Sequence, residues 1–133
     1  GWYLHEGFHL QTRRRMTKES KSTDFACQCG HCPGEGLNEG FMQKALQLLS
    51  ISGESSLTIT SGRRCEAYNS SLTGSAPKSR HIPGLALDIS TPTLPLRAKL
   101  IDAAHKAGLR GIGVGKTFIH VDERERLTMW TYQ

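Results

Sequence analysis

The sequence contains no apolar run of 18 or more residues, which excludes an ordinary membrane-spanning helix. No charged, apolar and small-residue leader opens it, so no attached secretory signal is expected. Four cysteines among 133 residues are too few for a disulfide-built miniature fold. There is no internal repeat and no clear linker, and one domain is expected of a chain this long. One basic run is present, Arg13-Arg14-Arg15 with Lys18 and Lys21, but no DNA-binding motif follows it and no aromatic or glycine interleaving accompanies it. It reads as a solvated charge run, with no specific nucleic-acid partner.

What is present is modest in amount and uneven in placement. Hydrophobic residues make up 37%, enough for a small core. A chain of this size buries only about two-thirds of its unfolded surface. Lys and Arg number 17 against 12 Asp and Glu, a formal charge of +5. Three of the four cysteines crowd into Cys27-Gln28-Cys29-Gly30-His31-Cys32.

Residues 1–24 are aromatic at the start and basic in the middle and sustain no period of 2 or 3.6. This predicts a basic arm over 1–24 ahead of a domain over 25–133. After the loop residues Pro33-Gly34-Glu35-Gly36, Leu37, Phe41, Ala45, Leu48 and Leu49 recur at helical spacing, with Gly53 as a stop. Leu57-Thr58-Ile59-Thr60 predicts a short strand running into a turn at Ser61-Gly62. A turn or two of helix is expected over 66–71 and a loop over 74–79. Leu85-Ala86-Leu87-Asp88-Ile89 predicts a strand with Leu85, Leu87 and Ile89 on one face and Ala86 and Asp88 on the other. Pro95 opens a helix to about Lys106, ended by Gly108. The stretches 111–114 and 118–122 predict a hairpin about Gly115-Lys116-Thr117. Helices and short strands mix without regular alternation, so the fold class is α+β, a small antiparallel sheet flanked by helices.

The densest group of metal-capable side chains is His81, Asp88, His120 and Asp122. Alternation sends Ile119 and Val121 to the core and His120 with Asp122 to the other face. Two neighbouring strands of this kind would bring Asp88 and His120 close, with His81 swung over them by the preceding loop. Two imidazoles and one carboxylate suit Zn²⁺ at about 2.0–2.2 Å, with a fourth position left for water. Gly84 and Ala86 leave room beside such an ion. A cation nearby, for which Arg64 is the candidate, would stabilise an oxyanion or hold a substrate carboxylate.

The stretches Thr60-Ser61-Gly62-Arg63-Arg64-Cys65-Glu66-Ala67-Tyr68-Asn69, Ser79-Arg80-His81-Ile82-Pro83-Gly84-Leu85-Ala86-Leu87-Asp88 and Phe118-Ile119-His120-Val121-Asp122, with Trp130 trailing, resemble the zinc D-Ala-D-Ala carboxypeptidase family. That family includes bacterial and phage peptidoglycan peptidases. The likeness runs in order over about residues 25–132, and its core pattern, Ser-x-His-x-x-Gly-x-Ala-x-Asp followed by His-x-Asp, sets the residue at seven positions with defined spacings. It implies an α+β fold shared with the Hedgehog signalling domain, one catalytic zinc ion, and hydrolysis of peptide bonds in peptidoglycan stem peptides or cross-links. It implies His81, Asp88 and His120 as zinc ligands and Arg64 as the arginine that binds substrate or polarises its carbonyl. Ser79 falls where a hydroxyl orients the first histidine or contacts substrate.

Several branches of the family carry an acidic general base three residues before the last zinc histidine. Here that position is Thr117. Asp122 is therefore expected to deprotonate the attacking water, with a ligand-orienting or substrate-contacting role as its rival. Glu123 points to the opposite face by alternation. A D,D-carboxypeptidase, a D,D-endopeptidase and a phage-lysin L-Ala-D-Glu endopeptidase all fit the same ligands. A monomer is expected; the resemblance further implies action on peptidoglycan at the bacterial cell wall, in the periplasm or as a released phage lysin, and the positive charge suits an anionic envelope. The alternative is a non-catalytic, zinc-containing module that recognises cell wall or a protein partner.

The cysteines keep three readings. Cys27, Cys29 and Cys32 lie where cysteine-rich members of that family carry a similar cluster, and Cys65 follows the Arg64 motif. Four thiolates could meet in a second, structural zinc site, with His31 able to stand in for one. Short ligand spacings favour metal over a bridge, which a Cys-x-Cys pair meets poorly. One or two disulfides, for instance from Cys65 to the cluster, and free thiols are the alternatives.

Overall fold

The computed structural model describes residues 2–4, 10–72 and 74–132. Helix α1 (Glu39–Ser52) starts where Asn38 Oδ1 accepts the Phe41 N–H at 3.0 Å and ends at Gly53, whose φ of 77° is left-handed. Its buried stripe is Phe41, Met42, Ala45, Leu48 and Leu49. Helix α3 (Leu94–Lys106) is capped by the Thr93 hydroxyl, carries Pro95 in its first turn, and holds His105 and Lys106 in the last turn, where cations suit the carbonyl end. The short α2 (Glu66–Ser71) follows directly on Cys65.

The remaining elements are strands: β1 (Trp2–Leu4), β2 (Leu10–Thr12), β3 (Arg14–Met16), β4 (Leu57–Ser61), β5 (Ala86–Ser90), β6 (Gly111–Val114), β7 (Phe118–Asp122) and β8 (Thr128–Thr131). β1 and β2 pair as a separate antiparallel ribbon. The other six form one sheet in the order β3-β4-β5-β7-β6-β8, antiparallel throughout except for the parallel β6–β8 pair. This is the α+β arrangement read from the sequence, and the hairpin about residues 115–117 is closed by a Gly115 N–H to Phe118 carbonyl bond of 2.8 Å.

One sheet face, bearing Ile59, Leu87, Ile89, Ile112, Ile119 and Val121, belongs to the same core as the buried stripes of α1 and α3. Because side chains alternate, the other face receives Asp88, His120 and Asp122. It is this second face that carries the polar chemistry.

The chain differs from the expected arm over 1–24. Arg14–Met16 forms the edge strand of the six-stranded sheet, and Met16 is fully buried. Three residues with one apolar side chain are too short to display a period, which is why the strand escapes notice in sequence. Arg14 also has a structural task, donating from Nη1 to the carbonyls of Asp24 (2.7 Å) and Ala26 (3.0 Å). Residues 1 and 5–9 of the expected arm lie outside the described residues. No helix among the described residues is long and apolar enough to cross a membrane.

Candidate metal centre

Strand register brings two of the site's side chains together. Asp88 on β5 and His120 on β7 are direct cross-strand partners, so both project from the face opposite the helices. The third side chain comes from the turn before β5. There His81 is held by its own backbone: its carbonyl accepts N–H groups from Arg64 (3.0 Å) and Gly84 (3.2 Å), while its N–H is accepted by Ser79 Oγ at 3.2 Å. Ser79 thus orients this histidine through the main chain. The candidate ligand atoms of His81, Asp88 and His120 lie within 4.8 Å of one another.

Hydrogen bonding decides which nitrogen faces inward. His81 Nδ1 lies 2.7 Å from the Gly62 carbonyl, which can only accept, so Nδ1 carries the proton and the Nε2 lone pair is left 3.2 Å from Asp88 Oδ1. His120 Nε2 lies 2.7 Å from Asp122 Oδ2, the shorter of its two carboxylate contacts, and Nδ1 is turned toward Asp88 Oδ1 at 3.0 Å, so Nδ1 is the nitrogen that faces the other candidate ligands. One nitrogen of each imidazole thus converges on one carboxylate oxygen; with both nitrogens bare the arrangement is repulsive, and either a cation among them or a second proton on His120 relieves it. Tetrahedral zinc with ligands near 2.0–2.1 Å would space neighbouring donors about 3.3 Å apart. The donor set fits such an ion in type, tautomer and spacing.

The charges respond as this crowding requires. Burial disfavours the His81 imidazolium and lowers its pKa, with Asp88 opposing. Burial also disfavours the His120 imidazolium, but bonds to Asp122 and Asp88 together outweigh it and raise the pKa to about 9. Burial raises the Asp88 carboxyl, yet the two histidines more than offset this and hold it below the usual carboxylate range.

Arg64 stands beside this group, buried except for 9% of its surface. Nε donates to Ser61 Oγ at 3.0 Å and Nη1 to Asn69 Oδ1 at 3.0 Å, while Nη2 lies 3.4 Å from Asp88 Oδ2. A β-bulge prepares this contact: Ile59 pairs with Ile89 but Ser61 with Asp88, one extra residue on β4 that brings Ser61 opposite the carboxylate. Of the five N–H groups of a guanidinium, these contacts use three and leave two for a ligand. The group opens into a cleft of about 810 Å³ whose lining includes Lys78, Arg80, Phe118, Trp130 and Tyr132.

The role expected of Asp122 as proton acceptor does not suit its position. The residue is fully buried, and besides His120 it accepts Arg124 Nε on Oδ1 (2.7 Å) and Arg124 Nη2 on Oδ2 (2.6 Å). Burial alone would raise its pKa, but His120 and Arg124 together pull it down to about 2. A general base needs a free lone pair and a pKa near the working pH. Asp122 has the geometry of its rival role, orienting His120. Thr117 is exposed and does not line the cleft, and Glu123 points away to pair with Lys44 at 3.2 Å. Among the described residues lining the cleft, Asp88 and Asp122 are the only carboxylates.

Compared with known proteins, residues 13–122 match the family model described as Peptidase M15. The chain belongs to the peptidase M15 family. Members are zinc peptidases, and the match spans the sheet from its first strand to Asp122. No curated protein matches the chain at a significant level. In this M15 chain several cleft residues were not singled out by the sequence. Arg124 and Tyr132 lie beyond the matched stretch, on the segment leading into β8 and just after it. The Arg124 guanidinium stacks 4.7 Å from the Trp130 ring centroid, and that ring lies 5.4 Å from His120. The alternating Gly111 and Gly113 on β6 were a usable signal. A Cβ at Gly111 would fall 1.8 Å from Asp122 Oδ1, and one at Gly113 would meet Trp130 at 2.7 Å. The four predicted cysteines also meet, away from the cleft.

Proposed function

We propose that this M15 peptidase uses one zinc ion, held by His81, Asp88 and His120, to hydrolyse peptide bonds in peptidoglycan stem peptides or cross-links, acting as a monomer at the bacterial cell wall. The observation that carries the reading is the convergence of two imidazole nitrogens on one carboxylate oxygen, beside a half-committed arginine in an open cleft. When bound, zinc supplies Lewis acidity that lowers the pKa of water and polarises a carbonyl.

The chain's own residues supply orientation and charge. Gly62 and Asp122 keep the two imidazoles in the tautomers that offer lone pairs inward, and Arg124 keeps Asp122 ionised and in place. Arg64, anchored by Ser61 and Asn69, offers its remaining N–H groups to a substrate carboxylate or to the oxygen on which negative charge develops. Phe118, Trp130 and Tyr132 give the cleft an aromatic wall, and Lys78 and Arg80 make its rim cationic. A cationic rim suits stem peptides, which carry carboxylates.

The test is hydrolysis of purified peptidoglycan before and after chelation, with products of a defined muropeptide read by mass spectrometry. Activity lost on chelation and restored by zinc is the expected result, and the product masses distinguish a carboxypeptidase from either endopeptidase. One observation favours a second reading, a non-catalytic module: both cleft carboxylates are committed to partners. Zinc-loaded protein that binds peptidoglycan and leaves it intact would establish that reading instead.

A further inference from the structure

Four sulfurs from two distant stretches of chain meet outside the cleft. Cys27, Cys29 and Cys32 lie in the loop that follows the 3-10 turn Ser22–Phe25, and Cys65 opens α2. Their Sγ atoms all lie within 4.8 Å of one another, and none is in a disulfide. Four thiolates around zinc at about 2.3 Å form a tetrahedron with edges near 3.8 Å. The Cys65 and Cys29 sulfurs are 3.8 Å apart.

The surroundings are those of anionic sulfur. Three backbone amides donate to it: Cys65 N–H to Cys27 at 3.3 Å, His31 N–H to Cys29 at 3.2 Å, and Tyr68 N–H to Cys65 at 3.4 Å. The Arg14 guanidinium is within electrostatic reach of Cys27, and its Nε and Nη2 are buried without a hydrogen-bond partner. A tetrathiolate around a divalent ion carries net negative charge and gives that cation a counterpart. Disulfides would account for these sulfurs only in pairs and would not call for four at mutual ligand spacing.

The backbone around the cluster is fitted for a clamp. Arg63 N–H donates to the Phe25 carbonyl at 2.9 Å, and a Cβ at Gly62 would lie 2.5 Å from that same oxygen, so the two stretches touch main chain to main chain. We propose that Cys27, Cys29, Cys32 and Cys65 bind a structural zinc ion, distinct from the His81, Asp88 and His120 group, that fastens residues 27–32 to the turn carrying Arg64. Four protein ligands close the coordination sphere, which makes the site structural rather than catalytic. Its existence does not depend on what the cleft hydrolyses.

Elemental analysis and cobalt substitution of the full chain test this. Wild-type protein purified with zinc present is expected to hold two zinc ions per chain. His81→Ala, with all four cysteines intact, is expected to keep one zinc and, after exchange, to show the intense thiolate-to-cobalt charge-transfer band of a tetrathiolate site. Cys27→Ser with Cys32→Ser loses that band. Alkylation of the denatured, chelated and unreduced wild type is expected to label all four cysteines in the mass spectrum. A His81→Ala protein without the cobalt–thiolate band, iron in place of zinc, or fewer than four alkylated cysteines would overturn the proposal.

Discussion

The two clusters of metal-capable side chains in this molecule are built on opposite principles. In the cleft, Asp88 and His120 are placed by strand register, and His81 by a turn whose backbone is bonded to its neighbours. In the cysteine cluster, three ligands sit in a loop and the fourth at the start of a six-residue helix. The first group would keep its shape without an ion, because sheet pairing holds it. The second stands on a loop and a helix start outside the strand ladder, so an ion there would contribute folding free energy. A centre that must open to substrate stands on rigid strands, and a centre that only fastens two segments can be made from loops.

Substitutions can break this contrast, beginning with the largest effect. His81→Ala or His120→Ala should reduce hydrolysis of purified peptidoglycan to background while circular dichroism shows the fold intact, since neither side chain holds the sheet together. Arg64→Ala should lower kcat/KM by about 10²–10³, the usual cost of losing a preorganised donor to a developing oxyanion. Stoichiometric zinc in that variant would separate its role from that of the ligands.

Asp122→Asn should weaken zinc binding by about 10–100-fold in a chelator competition, because the amide no longer enforces the His120 tautomer. If Asp122 were instead the proton acceptor, zinc affinity would stay at the wild-type value and only kcat would fall. The mildest perturbation, one that changes no residue, is pH. In the ion-free site the His120 pKa lies above its ordinary 6.5, at about 9, so the proton stabilises the ion-free fold fully below about 6.5 and ceases to do so as pH rises through about 9. Zinc must displace that proton, and its apparent affinity should rise about tenfold per pH unit up to that value and then level off. Calorimetry in buffers of different ionisation heat counts the proton released. A pH-independent affinity would show that His120 is already neutral.

Much of the fold was legible because its elements obey simple periods. The stripe of α1, the Pro95 start of α3, the strand at Asp88 and the hairpin through Gly115 all follow from apolar spacing and turn chemistry. The cross-strand meeting of Asp88 with His120 followed from alternation once the two strands were neighbours. What escaped depends on tertiary context. β3 is three residues long, and β8 joins the sheet in parallel through a partner that no local pattern indicates. The commitment of Asp122 was hidden because Arg124, two residues on, turns back to grip it, and a period-2 reading records which face a residue occupies but not what it touches.

Gly111 and Gly113 carry a consequence for how this sequence can vary. On β6, as cross-strand partners of Asp122 and His120, they present hydrogen where other residues have carbon, and the Asp122 carboxylate and the Trp130 ring occupy the vacated space. Neither glycine has a group that could touch a substrate or an ion. Yet adding one methyl group at either would displace the side chains that steady His120, while the core neighbours Ile112 and Ile119 on the far face went undisturbed. Positions that are chemically blank would therefore tolerate as little change as the ligands themselves, and variants there should look folded and fail as enzymes.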